Sequence, residues 1–208
     1  MNEPWLERWR DGRTGWHESA GNRGLHEHWT ATGCRVLVPL CGKSPDLLWL
    51  EERGNDVVGI ELSEIAARAF FDENDIEYRR DSQGCFVAIG RRLSIVCGDY
   101  FAFSESGFDA HYDRGALVAL PLELRPRYAA HTRALLRPGA FQLVVSLDYD
   151  QSVADGPPYA VGGREITSYW HALERVDAYD VMSTCPPKFV DAGITALEEV
   201  VWRTPRRS

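Results

Sequence analysis

Residues Arg35 to Glu64 read RVLVPLCGKSPDLLWLEERGNDVVGIELSE, and they predict a strand, a tight turn, a helix and a second strand. The apolar run CRVLVPL is typical of a buried strand, while Ser44 and Pro45 are typical of the first positions of a helix. Short apolar runs continue to alternate with amphipathic stretches to about residue 150. This order predicts an α/β fold with a mostly parallel sheet and right-handed crossovers.

The turn after the first predicted strand, Leu40 to Lys43, lies where an open α/β sheet binds its ligand. It contains a single glycine, Gly42, whereas the cradle for a dinucleotide pyrophosphate uses several glycines and backbone donors. Pro39 removes one further donor. The turn therefore disfavours a dinucleotide and argues against a nucleotide-dependent oxidoreductase.

Two acidic residues follow the next two predicted strands. Glu61 ends the second strand, nineteen residues after Gly42, where a carboxylate can accept both hydroxyls of a ribose. Asp99 follows the third strand, where it can accept a hydrogen bond from an exocyclic amine such as that of adenine. The alternatives are a helix cap for the first and a turn-forming aspartate for the second. Together with the glycine-poor turn, they predict a nucleoside site without a diphosphate, and S-adenosylmethionine, with its sulfonium, fits that description.

The composition limits the kinds of protein to which the chain can belong. Its 208 residues suit one domain, and 44% hydrophobic with 26% charged residues argues against wholesale disorder. A net charge of −8 opposes binding to nucleic acid or to an anionic membrane surface. The five cysteines are scattered and contain no C-x-x-C motif, which argues against a metal site or a disulfide framework. We expect a cytoplasmic monomer with no membrane span, no nucleic-acid partner and no metal.

Four strings resemble the thiopurine S-methyltransferase family, its bacterial members above all: WLERWRDGRTGWHE, RVLVPLCGKSPDLLWLEERGNDVVGIELSE, FDAHYDRGALVALPLELRPRYA and GPPY. The resemblance covers about Trp5 to Trp170 and fades after about Asp177. It implies a single class I methyltransferase domain, residues 1–208, with a Rossmann-like, seven-stranded, mostly parallel sheet, one antiparallel edge strand and helices on both faces. It implies S-adenosyl-L-methionine as cofactor and S-adenosyl-L-homocysteine as product. The implied substrates are small aromatic or heterocyclic thiols, and selenium or tellurium species.

The resemblance also implies roles for individual residues. Residues 1–31 form a helical segment whose aromatic side chains cover the cofactor. The implied cofactor-binding residues are Trp5, Trp9, Leu40, Gly42, Glu61, Asp99, Tyr100 and Arg114. Arg114, in the string YDRGAL, is also the implied catalytic residue, and Trp16, Pro158 and Tyr159 are its implied neighbours at the substrate. Animal members carry a second arginine after the string VDA, whereas this chain offers only Lys188 at a distance.

Several of these assignments have simpler alternatives. Trp5 and Trp9 could pack a helix onto the core, as most paired tryptophans do. Arg114 could pair with the adjacent Asp113, and Pro157-Pro158-Tyr159 could be only a rigid turn. At the level of function, a thiol or halide ion methyltransferase and a non-catalytic S-adenosylmethionine-binding protein remain alternatives.

Overall fold

The computed structural model of the protein describes residues 3–13, 18, 20–82 and 84–205. The strands in these ranges are β1 Arg35–Pro39, β2 Asp56–Glu61, β3 Tyr78–Arg80, β4 Cys85–Ala88, β5 Leu93–Cys97, β6 Phe108–Arg114, β7 Leu136–Asp148, β8 Glu174–Asp180 and β9 Glu198–Arg203. The helices are α1 Glu3–Arg10, α2 Arg23–His28, α3 Asp46–Glu52, α4 Glu64–Glu73, α5 Arg125–Leu135, α6 Gly163–Tyr169 and α7 Pro187–Ala192.

The described strands form one nine-stranded sheet in the order β3-β4-β5-β2-β1-β6-β7-β9-β8. The five central strands, β5, β2, β1, β6 and β7, run parallel, which confirms the predicted α/β class. Strand β9 is antiparallel to both β7 and β8. The sequence predicts one antiparallel strand at the edge of the sheet; on this side of the sheet the antiparallel strand is β9, which lies one place in from the edge.

The sheet is two strands wider than the seven predicted. The extra pair is the hairpin of β3 and β4, which extends the sheet because β4 pairs antiparallel with β5. Both strands are short, and β3 has only one residue that is not exposed. Such a hairpin has too few buried residues to give a clear apolar pattern in the sequence.

Helices cover both faces of the sheet, as the apolar composition of its central strands requires. Alternate residues of β1 point to opposite faces, so that Val36 and Val38 join one core and Leu37 the other. The first core is closed by side chains of α2, α3 and α4. The second is closed by side chains of α5 and α6.

The order in which the chain adds strands to the sheet reverses between β1 and β6. After β1 it passes through α3 to β2 on one side, and after β6 it passes through α5 to β7 on the other. The two strands pair in parallel, so their carboxyl ends meet at the same edge. This topological switch point is where open α/β sheets bind ligands, and it carries Leu40 and Arg114.

Candidate active site

The turn after β1 has an unusual backbone conformation. Gly42 has φ of 55°, which glycine adopts without steric cost, and Leu40 has φ of 47° in the left-handed region. A bulky residue in that region is uncommon, and such residues cluster at sites that bind ligands. The backbone N–H of Gly42 donates to Glu61 Oε2 at 2.9 Å, so the turn is tied to the end of β2.

Glu61 is placed to accept further hydrogen bonds. Its side chain is buried at the end of β2, and Oε1 accepts the backbone N–H of Ser63 at 2.7 Å. Burial raises the pKa of Glu61, while the N–H groups of Ser63 and Gly42 counteract that rise. A carboxylate has about four lone-pair positions, so each oxygen keeps one for a ribose hydroxyl. The turn and the carboxylate together fit a nucleoside that has no pyrophosphate, and thus fit S-adenosylmethionine.

Helix α1 lies over this turn. Trp9 is buried, and its ring comes within 3.3 Å of the position that a Cβ on Gly42 would occupy. The guanidinium of Arg8 lies over the ring of the half-buried Trp5, with its Cζ 4.9 Å from the ring centroid. The structure thus brings Trp9 to the turn. Trp16 lies outside the described residues.

Asp99 and Tyr100 follow β5 and begin a short 3-10 helix, Tyr100–Ala102. Asp99 is exposed, and its Oδ1 caps this helix by accepting the N–H of Phe101 at 3.0 Å. Tyr100 turns into the core, where its hydroxyl lies 2.8 Å from Thr132 Oγ1 and burial raises its pKa. The turn-forming role of Asp99 is therefore present. The side chain of Tyr100 is thus turned away from a nucleoside, and its carbonyl is engaged by the N–H of Phe103 at 3.2 Å and lies 2.9 Å from His131 Nε2.

Arg114 ends β6 with its side chain 22% exposed. Its guanidinium pairs with Glu18, and Nη2 lies 3.4 Å from Glu199 Oε1. The adjacent Asp113 points to the opposite face, as alternation along a strand requires. There it accepts the Tyr128 hydroxyl at 2.7 Å. The suggestion that Arg114 pairs with Asp113 is therefore wrong.

Asp113 has a structural role instead. It is fully buried, and its Oδ1 accepts the backbone N–H of Ala116 at 3.0 Å and that of Leu117 at 3.2 Å. Burial raises its pKa to about 6. These bonds close the turn that follows Arg114. The string YDRGAL thus holds one residue that shapes the turn and one that faces the switch point.

A buried polar network lies beneath the guanidinium. Asn22 donates from Nδ2 to Glu199 Oε2 at 2.8 Å and from its backbone N–H to Asp46 Oδ1 at 2.8 Å. Tyr112 donates to Asp46 Oδ2 at 2.7 Å. The network joins α2, α3, β6 and β9 behind the site. None of these residues was predicted from the sequence, although an acidic residue at an inward position of a predicted strand, as in β9, was a usable signal.

The polar loop of residues 151–162 packs on the turn that follows Arg114. Tyr159 donates its N–H to the carbonyl of Val118 at 2.7 Å, and Pro158 accepts the hydroxyl of Tyr149 at 2.7 Å. Lys188 donates to the carbonyls of Asp155, at 3.2 Å, and Pro157. Lys188, which the sequence offers only at a distance where animal members have a second arginine, therefore holds the loop.

The ring of Tyr159 lies 5.4 Å under the guanidinium of Arg125. It lines a cavity of about 440 Å³ together with Pro121 and Leu122, and Arg114 is not among the described residues around that cavity. The structure brings the loop to the neighbourhood of Arg114, but it does not show a contact between the two.

One cluster of possible metal ligands lies away from the switch point. Glu27, His28 and Asp177 have ligand atoms within 4.8 Å of one another, and the hydroxyl of Tyr179 bonds to the two carboxylates at 2.7 and 3.0 Å. Their mutual hydrogen bonds account for this cluster.

No described helix combines the length and the apolar character needed to cross a membrane.

Comparison with known proteins agrees with this geometry. The sequence model of the family described as thiopurine S-methyltransferase matches residues 1–207. The match therefore continues past Asp177, after which the motif resemblance fades. Proteins named thiopurine S-methyltransferase from Bordetella petrii and Azotobacter vinelandii are 41% and 45% identical; the matches cover 99% and 98% of this chain, and 98% of each relative.

A similar fold occurs in the crystal structure of Burkholderia thailandensis 1,6-didemethyltoxoflavin-N1-methyltransferase, which contains 1,6-didemethyltoxoflavin and S-adenosylhomocysteine. It superposes with a TM-score of 0.65 at 21% identity, over 99% of this chain and 87% of that one. The similarity supports the predicted class I fold. The chain belongs to the thiopurine S-methyltransferase family and is an S-adenosylmethionine-dependent methyltransferase.

Proposed function

We propose that this methyltransferase methylates the sulfur of small aromatic or heterocyclic thiols. The observation that carries the proposal is the position of Arg114 at the carboxyl end of β6, which pairs in parallel with β1, the strand that precedes the turn of Leu40 and Gly42. The guanidinium, although it is paired with Glu18 and Glu199, is a cation that can stabilise the deprotonated sulfur of a thiol bound against it. Selenium and tellurium species are included as acceptors because they are soft nucleophiles of the same kind.

The cofactor would be held by groups at the ends of three strands. Glu61 would accept the ribose hydroxyls, Asp99 and the backbone of Tyr100 would face the adenine, and Trp9 would cover the turn. When bound, S-adenosylmethionine supplies an electrophilic methyl group on a sulfonium. Within the proposal, residues 1–31 form a cofactor-covering segment of a single domain, which the contact of Trp9 with the turn supports.

The protein would act mainly by alignment and by exclusion of water. Arg114 would hold the acceptor sulfur, with Pro158 and Tyr159 on the loop that packs beside it. Holding two reactants in line can contribute about 7–11 kcal/mol in well-oriented systems. The proposal needs no covalent enzyme intermediate, and it takes the protein to be a cytoplasmic monomer.

The experiment is transfer of a labelled methyl group to a panel of acceptors: heterocyclic thiols, aryl thiols, selenite, tellurite and iodide. We expect turnover with the thiols. Turnover with iodide alone would favour a halide ion methyltransferase instead. No turnover with any acceptor, despite measurable binding of S-adenosylhomocysteine, would overturn the proposal in favour of a cofactor-binding protein.

The role of Arg114 can be separated from cofactor binding. We expect Arg114→Ala to lower kcat by about 100-fold or more, because a preorganised charge at the reacting group is lost. Affinity for S-adenosylhomocysteine, measured by calorimetry, should change little. Arg114→Lys keeps the charge but lacks the planar fork, so an intermediate loss is expected. The exposed Arg79→Ala is the control, and equal losses of turnover and cofactor affinity in Arg114→Ala would contradict the assignment.

A further inference from the structure

The charge around Arg114 is not that of a simple anion site. The guanidinium faces two carboxylates, those of Glu18 and Glu199, so the three groups together carry a charge of −1 when both acids are ionised. A thiolate that arrived from solution would raise this to −2. A neutral thiol that gave its proton to one of the carboxylates would leave the total unchanged. The second course avoids placing an additional negative charge in a partly buried site.

The two carboxylates differ in their surroundings. Glu199 has a side chain 9% exposed on β9, and its Oε2 is held by the Asn22 amide at 2.8 Å. Glu18 belongs to the segment before α2, and its side chain is 39% exposed. Glu18 is therefore the carboxylate that a ligand entering from solution can reach.

Glu18 also titrates near neutrality. Burial raises its pKa to about 7, against the lowering effect of Arg114 on β6. The carboxylates of Glu199 on β9 and Asp46 on α3 raise this pKa further, and a hydrogen bond from Asn22 lowers it. An acceptor with a pKa near the working pH is suited to take and release a proton.

We propose that Glu18 accepts the proton of the thiol substrate while Arg114 retains the thiolate, an inference that rests on the proposed function. The S–H bond breaks, its electron pair stays on sulfur, and the proton moves to a carboxylate oxygen of Glu18. The sulfur is then the nucleophile for the methyl group, whose bond to the cofactor's sulfonium would break, with its electron pair staying on the cofactor, as the new S–C bond forms. The proton leaves Glu18 for solvent when the product departs, and no other reactant is needed.

The proposal predicts how the rate depends on the acidity of the thiol. The assay compares kcat/KM for aryl thiols that range from fully ionised to protonated at the assay pH. With Glu18→Gln, thiols that are protonated in solution should lose about tenfold in rate for each unit by which their pKa exceeds the pH. Ionised thiols should react as fast as with the wild type, or faster. The control Glu198→Gln alters a neighbour on β9 whose side chain is 47% exposed, and it should keep the wild-type dependence.

A second measurement does not depend on turnover. The ultraviolet absorbance of a chromophoric thiol reports its ionisation when it is bound beside S-adenosylhomocysteine. In the wild type we expect a thiol that is protonated in solution to bind as the thiolate at pH values around 7. With Glu18→Gln, the bound thiolate should appear only at a higher pH. Acetate added to Glu18→Ala should restore part of the rate with protonated thiols.

Three outcomes distinguish this inference from the function on which it rests. If the wild type methylates no thiol, the proposed function fails. If it does, but Glu18→Gln shows the same dependence on thiol acidity, only the role of Glu18 fails. An equal loss with ionised and protonated thiols, without rescue by acetate, would show a structural role and overturn the inference.

Discussion

The substitution Glu61→Gln tests the cofactor site most directly. The glutamine keeps the shape of the side chain and one acceptor oxygen, but it removes the charge and replaces the other oxygen with an NH₂ group. That NH₂ would face a backbone donor, because Gly42 and Ser63 donate to the two oxygens at 2.9 and 2.7 Å. The variant therefore changes both ligand binding and the local fold.

The magnitude follows from the hydrogen bonds involved. A hydrogen bond to a charged group contributes about 1.5–3 kcal/mol, and Glu61 is proposed to make two with the ribose. Because the amide keeps one neutral acceptor, we expect a loss of about 2–4 kcal/mol in binding, or roughly 30- to 900-fold. The backbone N–H that faces the new NH₂ group loses its acceptor, and this should lower the free energy of unfolding by about 1–3 kcal/mol.

Calorimetric titration with S-adenosylhomocysteine measures the first quantity, and urea unfolding measures the second. The exposed Glu52→Gln on α3 is the matched control and should bind as the wild type does. In the wild type, affinity should also fall as the pH is lowered. Burial raises the pKa of Glu61, and the ribose hydroxyls would bind its ionised form. This pH dependence should be reduced in Glu61→Gln.

One result would refute the ribose assignment. If folded Glu61→Gln binds S-adenosylhomocysteine within about threefold of the wild type, Glu61 is only a cap for the turn and the helix after it. The assignment would also fail if the loss of binding free energy equalled the loss of unfolding free energy, because the weaker binding would then reflect only the destabilised fold.

Two further predictions concern the turn and its surroundings. Gly59→Ala should cost about 1–3 kcal/mol in urea unfolding, because its Cβ would lie 2.7 Å from Cys41 Sγ. Gly98→Ala, which meets nothing within 4 Å, is the control, and equal stabilities would contradict the packing argument. Trp9→Ala should weaken S-adenosylhomocysteine binding about tenfold in calorimetry, since an aromatic cover over Gly42 is lost. Unchanged affinity would mean that Trp9 serves only to pack α1.

Several local features were predictable because they depend on neighbouring residues. A serine before an amphipathic run is a local signal for a helix start, and Ser63 caps α4 by accepting the N–H of Ala66 at 3.3 Å. The end of α5 is different: Pro138 and Gly139 predict that the helix ends there, but it stops at Leu135 and β7 begins before Pro138. There the pairing of β7 with β6 ends the helix earlier than the proline alone would.

Apart from the β3–β4 hairpin, the sequence by itself determined which segments form strands and helices along the chain, and it determined the class of cofactor. Both depend on short-range chemistry: apolar periodicity sets the elements, and the turn with a single glycine at Gly42 disfavours a pyrophosphate. Only the tertiary structure decided the environment of Arg114. Glu18 and Glu199 lie 96 and 85 residues from it along the chain, and β9 reaches the site because it inserts between β7 and β8. No local pattern specifies such a contact, since it results from the order of strands in the sheet.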